Sequence, residues 1–311
     1  MKVVCITGFG RCGSTLMDRM LGELPEFTSL GEVRDLFDER GFTAHWCACG
    51  ESVTECDLWA PVIADTLATL AIDERQALRL RAQESRQRDI PRLWRQLRHR
   101  HQTETSLNPY GILLRTIYEC VLRQCETDAV IDSSKFVSDV LILARDPRIE
   151  LHVIHLVRDP RGAAYSWSRT KEDPGKQGDA MQRFTPFMSS VYWSALNTEV
   201  ELCLRRFVGS RYQRIRYEDF AEAPQEVLAT AVQSWGGRRE DLPFVGPNEV
   251  RLDTTTHTVG GNPIRFQSGS ISLSLDERWR REMPRPELRD ATVPALPLLR
   301  RYGYPLRPRR I

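Results

Sequence analysis

The chain opens MKVVCITGFGRCGSTLMDRMLGEL, and this stretch constrains the fold more than any other. Val3, Val4, Cys5 and Ile6 form an unbroken apolar run, the pattern of a parallel strand covered on both faces. Gly8, Gly10 and Gly13 follow at once, and Leu16, Met17, Met20, Leu21 and Leu24 then recur at helical spacing. A strand, a glycine turn and a helix in that order bring unpaired backbone N–H groups and a helix dipole to one point, which favours an anion. Glycines there let the backbone curl round a phosphate without a Cβ clash. The same grammar returns in AVID (129–132), LHVIHLV (151–157) and YQRIRY (212–217), each followed by a helical pattern. Strands alternating with helices imply a parallel sheet with right-handed crossovers. Between about residues 57 and 125 the strand patterns stop and helical ones take over. We therefore expect an α/β fold: one domain over residues 1–311, a central parallel sheet flanked by helices, and a helical insertion at about 57–125.

Charge narrows the function classes. The 311 residues carry 44 Lys+Arg against 42 Asp+Glu, a net charge of +2, which argues against a protein built to neutralise a nucleic-acid backbone. Of the 44 basic residues 40 are Arg, and none of the four Lys (Lys2, Lys135, Lys171, Lys176) precedes Ser or Thr. The Gly-Lys-Ser/Thr ending of a Walker loop is thus absent, which disfavours an ordinary P-loop ATPase or kinase. Residues 8–15, GFGRCGST, keep the Walker spacing but put Ser14 where Lys would stand, and Arg11 supplies the cation from within the loop. Eight Cys in so long a chain are no disulfide framework, no secretory h-region opens it, and no apolar run is long enough to cross a membrane. A soluble, cytoplasmic protein with mostly reduced cysteines is expected.

A second turn adds to the first. After the strand ending at Val157 comes RDPRGAAYS (158–166), where Asp159 is a good N-cap and Pro160 a good first helical residue. Arg158 then projects from a strand's carboxyl end and Ser166 offers a hydroxyl two turns into the helix. In open α/β sheets ligands bind across such turns. Two anion turns on one sheet point to a nucleotide phosphorylated at both ends.

Together these turns resemble the two signatures of the sulfotransferase superfamily, whose donor is 3′-phosphoadenosine 5′-phosphosulfate (PAPS). FGRCGSTLM is similar to the 5′-phosphosulfate loop in its Arg form, as in carbohydrate and tyrosylprotein sulfotransferases, here in a soluble member of bacterial type. LVRDPRGAAYSWSR resembles the 3′-phosphate motif, in which an Arg and a Ser eight positions later hold the phosphate, as Arg158 and Ser166 are spaced. RIRYEDF is similar to a segment that sets Tyr217 near the adenine, and GGNPIRF resembles a loop closing over the nucleotide with Asn262 and Arg265. The resemblance implies a P-loop-like sulfotransferase fold and a nucleotide site of Arg11, Cys12, Gly13, Ser14, Thr15, Arg158, Ser166, Tyr217, Asn262 and Arg265. PAPS would be the co-substrate and 3′-phosphoadenosine 5′-phosphate (PAP) the product.

Sulfuryl transfer needs an activated hydroxyl, in-line geometry and positive charge on the leaving phosphate. Arg11 supplies charge, and Lys135 in VIDSSKF, the Lys placed after a strand, is the second cation or else a surface residue. No metal is required at this centre, in contrast to phosphoryl transfer from ATP. For the base, Glu32 in SLGEVRDLF lies 21 residues after Arg11, where the resemblance puts the catalytic Glu of tyrosylprotein sulfotransferases. Cytosolic small-molecule members use His; here His152 and His155 lie within a strand, and His257 precedes the closing loop. The acceptor is a hydroxyl of a carbohydrate, lipid or small-molecule metabolite, with no nucleic acid, no integral membrane segment and a homodimer left open. Two alternatives stand: a nucleoside or small-molecule kinase with a degenerate P-loop, using Asp132 for magnesium, and a non-catalytic nucleotide-binding module.

Three features lie outside this scheme. Residues 75–100 hold nine Arg and two acids, Glu84 and Asp89, and read as a solvated face or as a basic wall for an anionic acceptor. Trp46, Trp59 and Trp94 are core residues or acceptor-pocket lining. His45, Cys47, Cys49 and Cys56 fall within twelve residues and read as zinc ligands, a local disulfide or plain thiols; CxC-x6-C is unlike common zinc modules.

Overall fold

Alternate residues of the first strand feed opposite faces of the sheet: Val3 and Cys5 pack into one core, Val4 and Ile6 into another. A strand buried on both sides belongs in the middle of a parallel sheet, and it lies there. The computed structural model describes residues 1–98, 107–169, 183–253 and 255–308. Strands β1 (Lys2–Thr7), β2 (Phe27–Gly31), β3 (Ala129–Lys135), β4 (Glu150–Val157) and β5 (Tyr212–Arg216) form a sheet ordered β2-β3-β1-β4-β5. Every neighbouring pair is parallel, so the expected α/β class with a central parallel sheet holds.

Helix α1 (Ser14–Leu21) crosses from β1 to β2. Helices α2 (Trp59–Leu70), α3 (Glu74–Glu84), α4 (Ile90–Arg98) and α5 (Pro109–Cys125) separate β2 from β3. The start of α3 is fixed by a reciprocal cap, Asp73 Oδ1 accepting from Gln76 N at 2.7 Å and Gln76 Oε1 from Asp73 N at 2.8 Å. Asn108 caps α5 by accepting from Tyr110 N and Gly111 N, and Pro109 occupies its first turn. With α6 (Val137–Leu143), these helices bring Trp59, Leu93, Leu113, Ile117 and Val140 onto Val3 and Cys5. On the other face Met17, Met20 and Leu21 of α1 join Leu228 and Val232 of helix Pro224–Gln233 over Val4 and Ile6. Helices α7 (Pro160–Ser168) and α8 (Pro186–Glu199) follow β4 and enclose a third cluster of Phe9, Ala163, Trp193, Tyr302 and Tyr304.

One element departs from expectation. After residue 249 the sequence reads as irregular, with HTVGGNP, before helical patterns return, yet Glu249–Leu252 and Gly269–Ser272 form a three-stranded antiparallel sheet with Phe244–Gly246. Strands of three or four residues are too short for period-two alternation to stand out from noise, although Val250 and Leu252 do point inward. Residues 171–185, KEDPGKQGDAMQRFT, read as a loop from their Gly, Pro and polar content, and lie mostly outside the described residues, as do Lys171 and Lys176.

Candidate functional site

The carboxyl ends of all five parallel strands converge on one cavity of about 850 Å³. Ligands of open α/β sheets bind at this edge, and the volume suits a nucleotide-sized molecule. The β1 end supplies the turn with Arg11, Gly13, Ser14 and Thr15; β2 supplies Glu32; β3, Lys135; β4, Arg158 with Ser166 on α7; and β5, Tyr217. Asn262 and Arg265 close the cavity from the short helix Pro263–Phe266. Cys12 alone of the sequence-derived site residues keeps its side chain out of the lining: it is buried in the core beneath the turn.

The first turn is built for backbone donation. Gly13 caps α1 at φ +92° with no side-chain hydrogen bond to the helix N-terminus, and a Cβ there would lie 3.0 Å from the Tyr217 ring. Arg11 takes φ +69° and stacks its guanidinium over Trp167 at 4.6 Å, while Trp167 Nε1 donates to Gly10 O at 3.1 Å. Four described non-glycine residues have positive φ. Ala71 and Glu126 are helix C-caps; the others are Arg11 and Lys135, at +69° and +73°. Left-handed backbone is costly for long side chains and collects where a site over-determines it. At Lys135 the cause is local: the β1–β3 register shifts between Cys5 and Thr7, and Thr7 Oγ1 donates to Lys135 O at 2.7 Å.

Lys135 Nζ is ion-paired with Glu32 Oε1. Burial lowers the Lys135 pKa, but the Glu32 charge and hydrogen bond outweigh it and hold the ammonium above its ordinary value. Glu32 is fixed from both sides. Its N–H donates to Val259 O at 2.6 Å, and two residues on, Arg34 is buried against Asp139 at 2.5 Å and donates to Ser85 Oγ and O. A buried pair of this kind fixes geometry more than it adds stability. The closing loop passes over Glu32 only because it lacks side chains: a Cβ on Gly260 would lie 2.8 Å from Glu32 Cβ, and one on Gly261 2.9 Å from Thr15 Oγ1. Asn262 N–H also donates to Thr15 Oγ1, and the Asn262 side chain caps Ile264 N.

At the second turn Arg158 is 7% exposed, lies over the Tyr217 ring at 4.4 Å, and donates to Arg11 O at 3.0 Å and to Asp276 O at 3.1 Å. A hydrogen bond from Arg278, with the Arg158 charge behind it, holds the Asp276 carboxyl below the usual carboxylate range. Ser166 is buried and lines the same cavity.

Several residues resolve differently from the sequence reading. Asp132, the magnesium ligand of the kinase alternative, is buried against Tyr118 OH (2.5 Å) and Ser134 and is not in the cavity lining. His155 is a core residue between Tyr212 OH and Asn197 Oδ1, both at 2.7 Å, and burial lowers its pKa to about 4. His152 pairs with Glu150 and His257 sits among cysteines, both outside the cavity lining, whereas Glu32 lies in it, as do Asp35 and His45. Among the described Arg of residues 75–100, none lines the cavity and most are exposed, the pattern of a solvated face. Trp46 lines the cavity, Trp59 is core, and Trp94 stacks edge-on against Phe207. Sequence reasoning missed Trp167 and Asp276; the first adjoins Ser166 in SWSR, whereas nothing local marks the second.

Among the described residues no helix is long and apolar enough to cross a membrane. Human carbohydrate sulfotransferase 3 is 29% identical over 180 residues, and its mouse counterpart 28% over 179; each match spans 53% of this chain and 36% of the relative, about a third of its length. The sulfotransferase domain of the Synechococcus PCC 7002 olefin synthase superposes with a TM-score of 0.57 at 21% identity, over 99% of this chain and 96% of that one. The sulfotransferase domain from the curacin biosynthetic pathway gives 0.51 at 17%, over 98% and 99%, and these two likenesses show the fold. The profile of the Sulfotransferase family matches residues 4–236, a span that takes in most of β1, all of β2 to β5 and both turns, so the chain belongs to the sulfotransferase family.

Proposed function

We propose that this chain transfers the sulfuryl group of PAPS to a hydroxyl of a carbohydrate, lipid or small-molecule metabolite, with residues 1–311 acting as one sulfotransferase domain. The observation that carries the reading is the meeting of Arg11, Lys135 and Glu32 in one cavity whose other wall holds Arg158 and Ser166. The residues fit such a donor: a glycine turn with an uncapped helix N-terminus, cations at two separate points, and an aromatic ring, Tyr217, between them. When bound, PAPS supplies the electrophilic sulfur and a phosphate leaving group. Glu32 takes the proton of the acceptor hydroxyl as that oxygen forms its bond to sulfur. Arg11, Lys135 and the turn N–H groups hold the charge that collects on the departing phosphate oxygen as its bond to sulfur breaks. Arg158 and Ser166 grip the 3′-phosphate, and Asn262 and Arg265 close the site.

The ion pair links the two halves of this chemistry. A phosphate oxygen that draws Lys135 away leaves Glu32 free to accept a proton. The Arg form of the turn accords with the likeness to carbohydrate sulfotransferase 3, which favours a sugar hydroxyl as acceptor; Trp46 and Tyr192 give the lining aromatic faces on which a sugar ring can stack. Eight free thiols accord with a reducing, cytoplasmic setting.

Glu32→Gln is expected to lower kcat by roughly 100-fold while leaving PAP affinity within about twofold, as loss of a general base predicts. Unaltered turnover with an unaltered pH profile sinks the assignment. A thermal-shift comparison of PAP with ATP and magnesium tests the donor, because the tighter ligand raises apparent stability more. Preference for ATP overturns the reading.

A further inference from the structure

Behind the closing loop lies a cluster that sulfuryl transfer does not use. Cys47, Cys49, Cys56 and His257 bring their ligand atoms within 4.8 Å of one another. Cys56 Sγ lies 3.2 Å from His257 Nδ1, Cys47 Sγ 3.5 Å from the same nitrogen, and Cys49 Sγ 3.7 Å from Cys56 Sγ. Zinc bonds of about 2.3 Å to sulfur and 2.0–2.1 Å to nitrogen give a tetrahedron with edges of about 3.5–3.8 Å, close to these separations. A disulfide would join two sulfurs at about 2.05 Å and leave a third thiol and the imidazole without a shared task.

The surrounding backbone is arranged as a metal-binding turn. Gly50 N–H donates to Cys47 O at 3.0 Å with Gly50 at φ +97°, and Cys49 N–H points at Cys47 Sγ at 3.5 Å, a contact suited to a charged sulfur. Cys47 also bridges to Val259, Ala48 N–H donates to Thr258 O at 2.9 Å, and Trp59 Nε1 donates to His257 O at 2.5 Å. His45, grouped with these cysteines by sequence, belongs elsewhere: its Nε2 faces Asp38 Oδ1 at 3.3 Å. The fourth position is filled from 201 residues beyond Cys56, which is why the spacing matches no compact module.

We propose that Cys47, Cys49, Cys56 and His257 bind one zinc ion as a closed, four-ligand structural site. With every position taken by protein, the ion activates no water. Its task is mechanical: it fastens His257, three residues before Gly260, to the 45–56 segment. The Gly260-Gly261 stretch is thereby held against Glu32 and Thr15. The site does not depend on the transfer reaction proposed for the cavity.

The test is elemental analysis of untagged protein purified in reductant without chelator, together with cobalt substitution. We expect about one zinc per chain, and a cobalt form with thiolate charge-transfer bands and the red absorption of tetrahedral geometry. His257→Ala, at a half-buried position, should weaken zinc affinity at least about 100-fold in competition with a chromophoric chelator. Cys56→Ser should do so more strongly. Less than about 0.1 equivalent of zinc, both as purified and after anaerobic titration with zinc chloride, overturns the site. So does a mass lower by two hydrogens with no metal bound, which identifies a disulfide. Because each readout is metal content or spectrum, a protein that holds zinc but ignores PAP leaves this site standing and removes only the donor assignment.

Discussion

The two anion turns sit on neighbouring strands and begin similar helices, yet they are made in opposite ways. After β1 the helix N-terminus has no side-chain cap, so its N–H groups are available to a ligand. After β4 the cap is self-satisfied: Asp159 Oδ1 accepts from Arg161 N at 2.9 Å and from Arg161 Nε at 2.8 Å, while Asp159 Oδ2 takes Arg161 NH2 at 2.6 Å. Pro160 removes a further donor. The second helix N-terminus has little left to offer, and under the proposed function binding there would fall to the side chains of Arg158 and Ser166. One turn offers an anion backbone shape, the other placed charge. Under the proposed function, selectivity for a doubly phosphorylated nucleotide would rest on the second.

This contrast can be broken by experiment. Arg158→Met should cost the largest factor, about 10- to 150-fold in PAP affinity, the worth of a charge-assisted hydrogen bond of about 1.5–3 kcal/mol. Affinity for a nucleotide lacking the 3′-phosphate should hardly change, and calorimetric titration with both ligands reads the difference. Equal losses for the two ligands would put Arg158 in the fold rather than in selectivity. Gly13→Ala should act the other way, weakening both ligands by roughly tenfold, because a Cβ at φ +92° strains the turn by about 1–3 kcal/mol. A change confined to the 3′-phosphate would reverse the roles of the turns.

The smallest effect separates the turns by pH. Asp18, in α1 beneath the first turn, accepts from Ser29 Oγ and Ser133 Oγ, both at 2.7 Å, yet burial raises its pKa to about 7. The folded state therefore retains a proton that the unfolded chain releases near pH 4. Stability falls as pH rises through the window from about 4 to 7, by at most about 1.4 kcal/mol per pH unit from this group. Asp18→Asn should flatten that part of a denaturation-versus-pH profile and gain on the wild type toward pH 8. An unchanged slope would show that Asp18 is ionised throughout the window.

How far the site could be read from sequence follows from where each residue gets its position. Arg11 and Arg158 were legible because each stands within a few residues of a strand end, and local pattern places strand ends, whereas Tyr217 came from the resemblance of RIRYEDF to a family segment. Glu32 and Lys135 were legible by the same logic, but their ion pair joins β2 to β3 across the helices between them, and no periodicity reports such a pair. Asp276 and His257 lie on irregular chain, where no repeat fixes the direction of a side chain. For His257 the sequence showed only a place before the closing loop; the fold turned it to the cysteines. The parallel sheet was legible because its strands are apolar on both faces, whereas the small antiparallel sheet has strands too short to declare themselves.

Val259 carries a consequence of another kind. Strand β2 is the outer strand of its sheet, and beside Glu32 its free edge is taken up by this residue: Val259 N–H donates to Leu30 O at 3.0 Å, and Glu32 N–H donates back to Val259 O. An uncovered strand edge is a template for association with a second chain. The loop that passes over Glu32 thus also protects the β2 edge of the sheet. A substitution that frees the loop would first be noticed in the tube as turbidity, before any rate is measured.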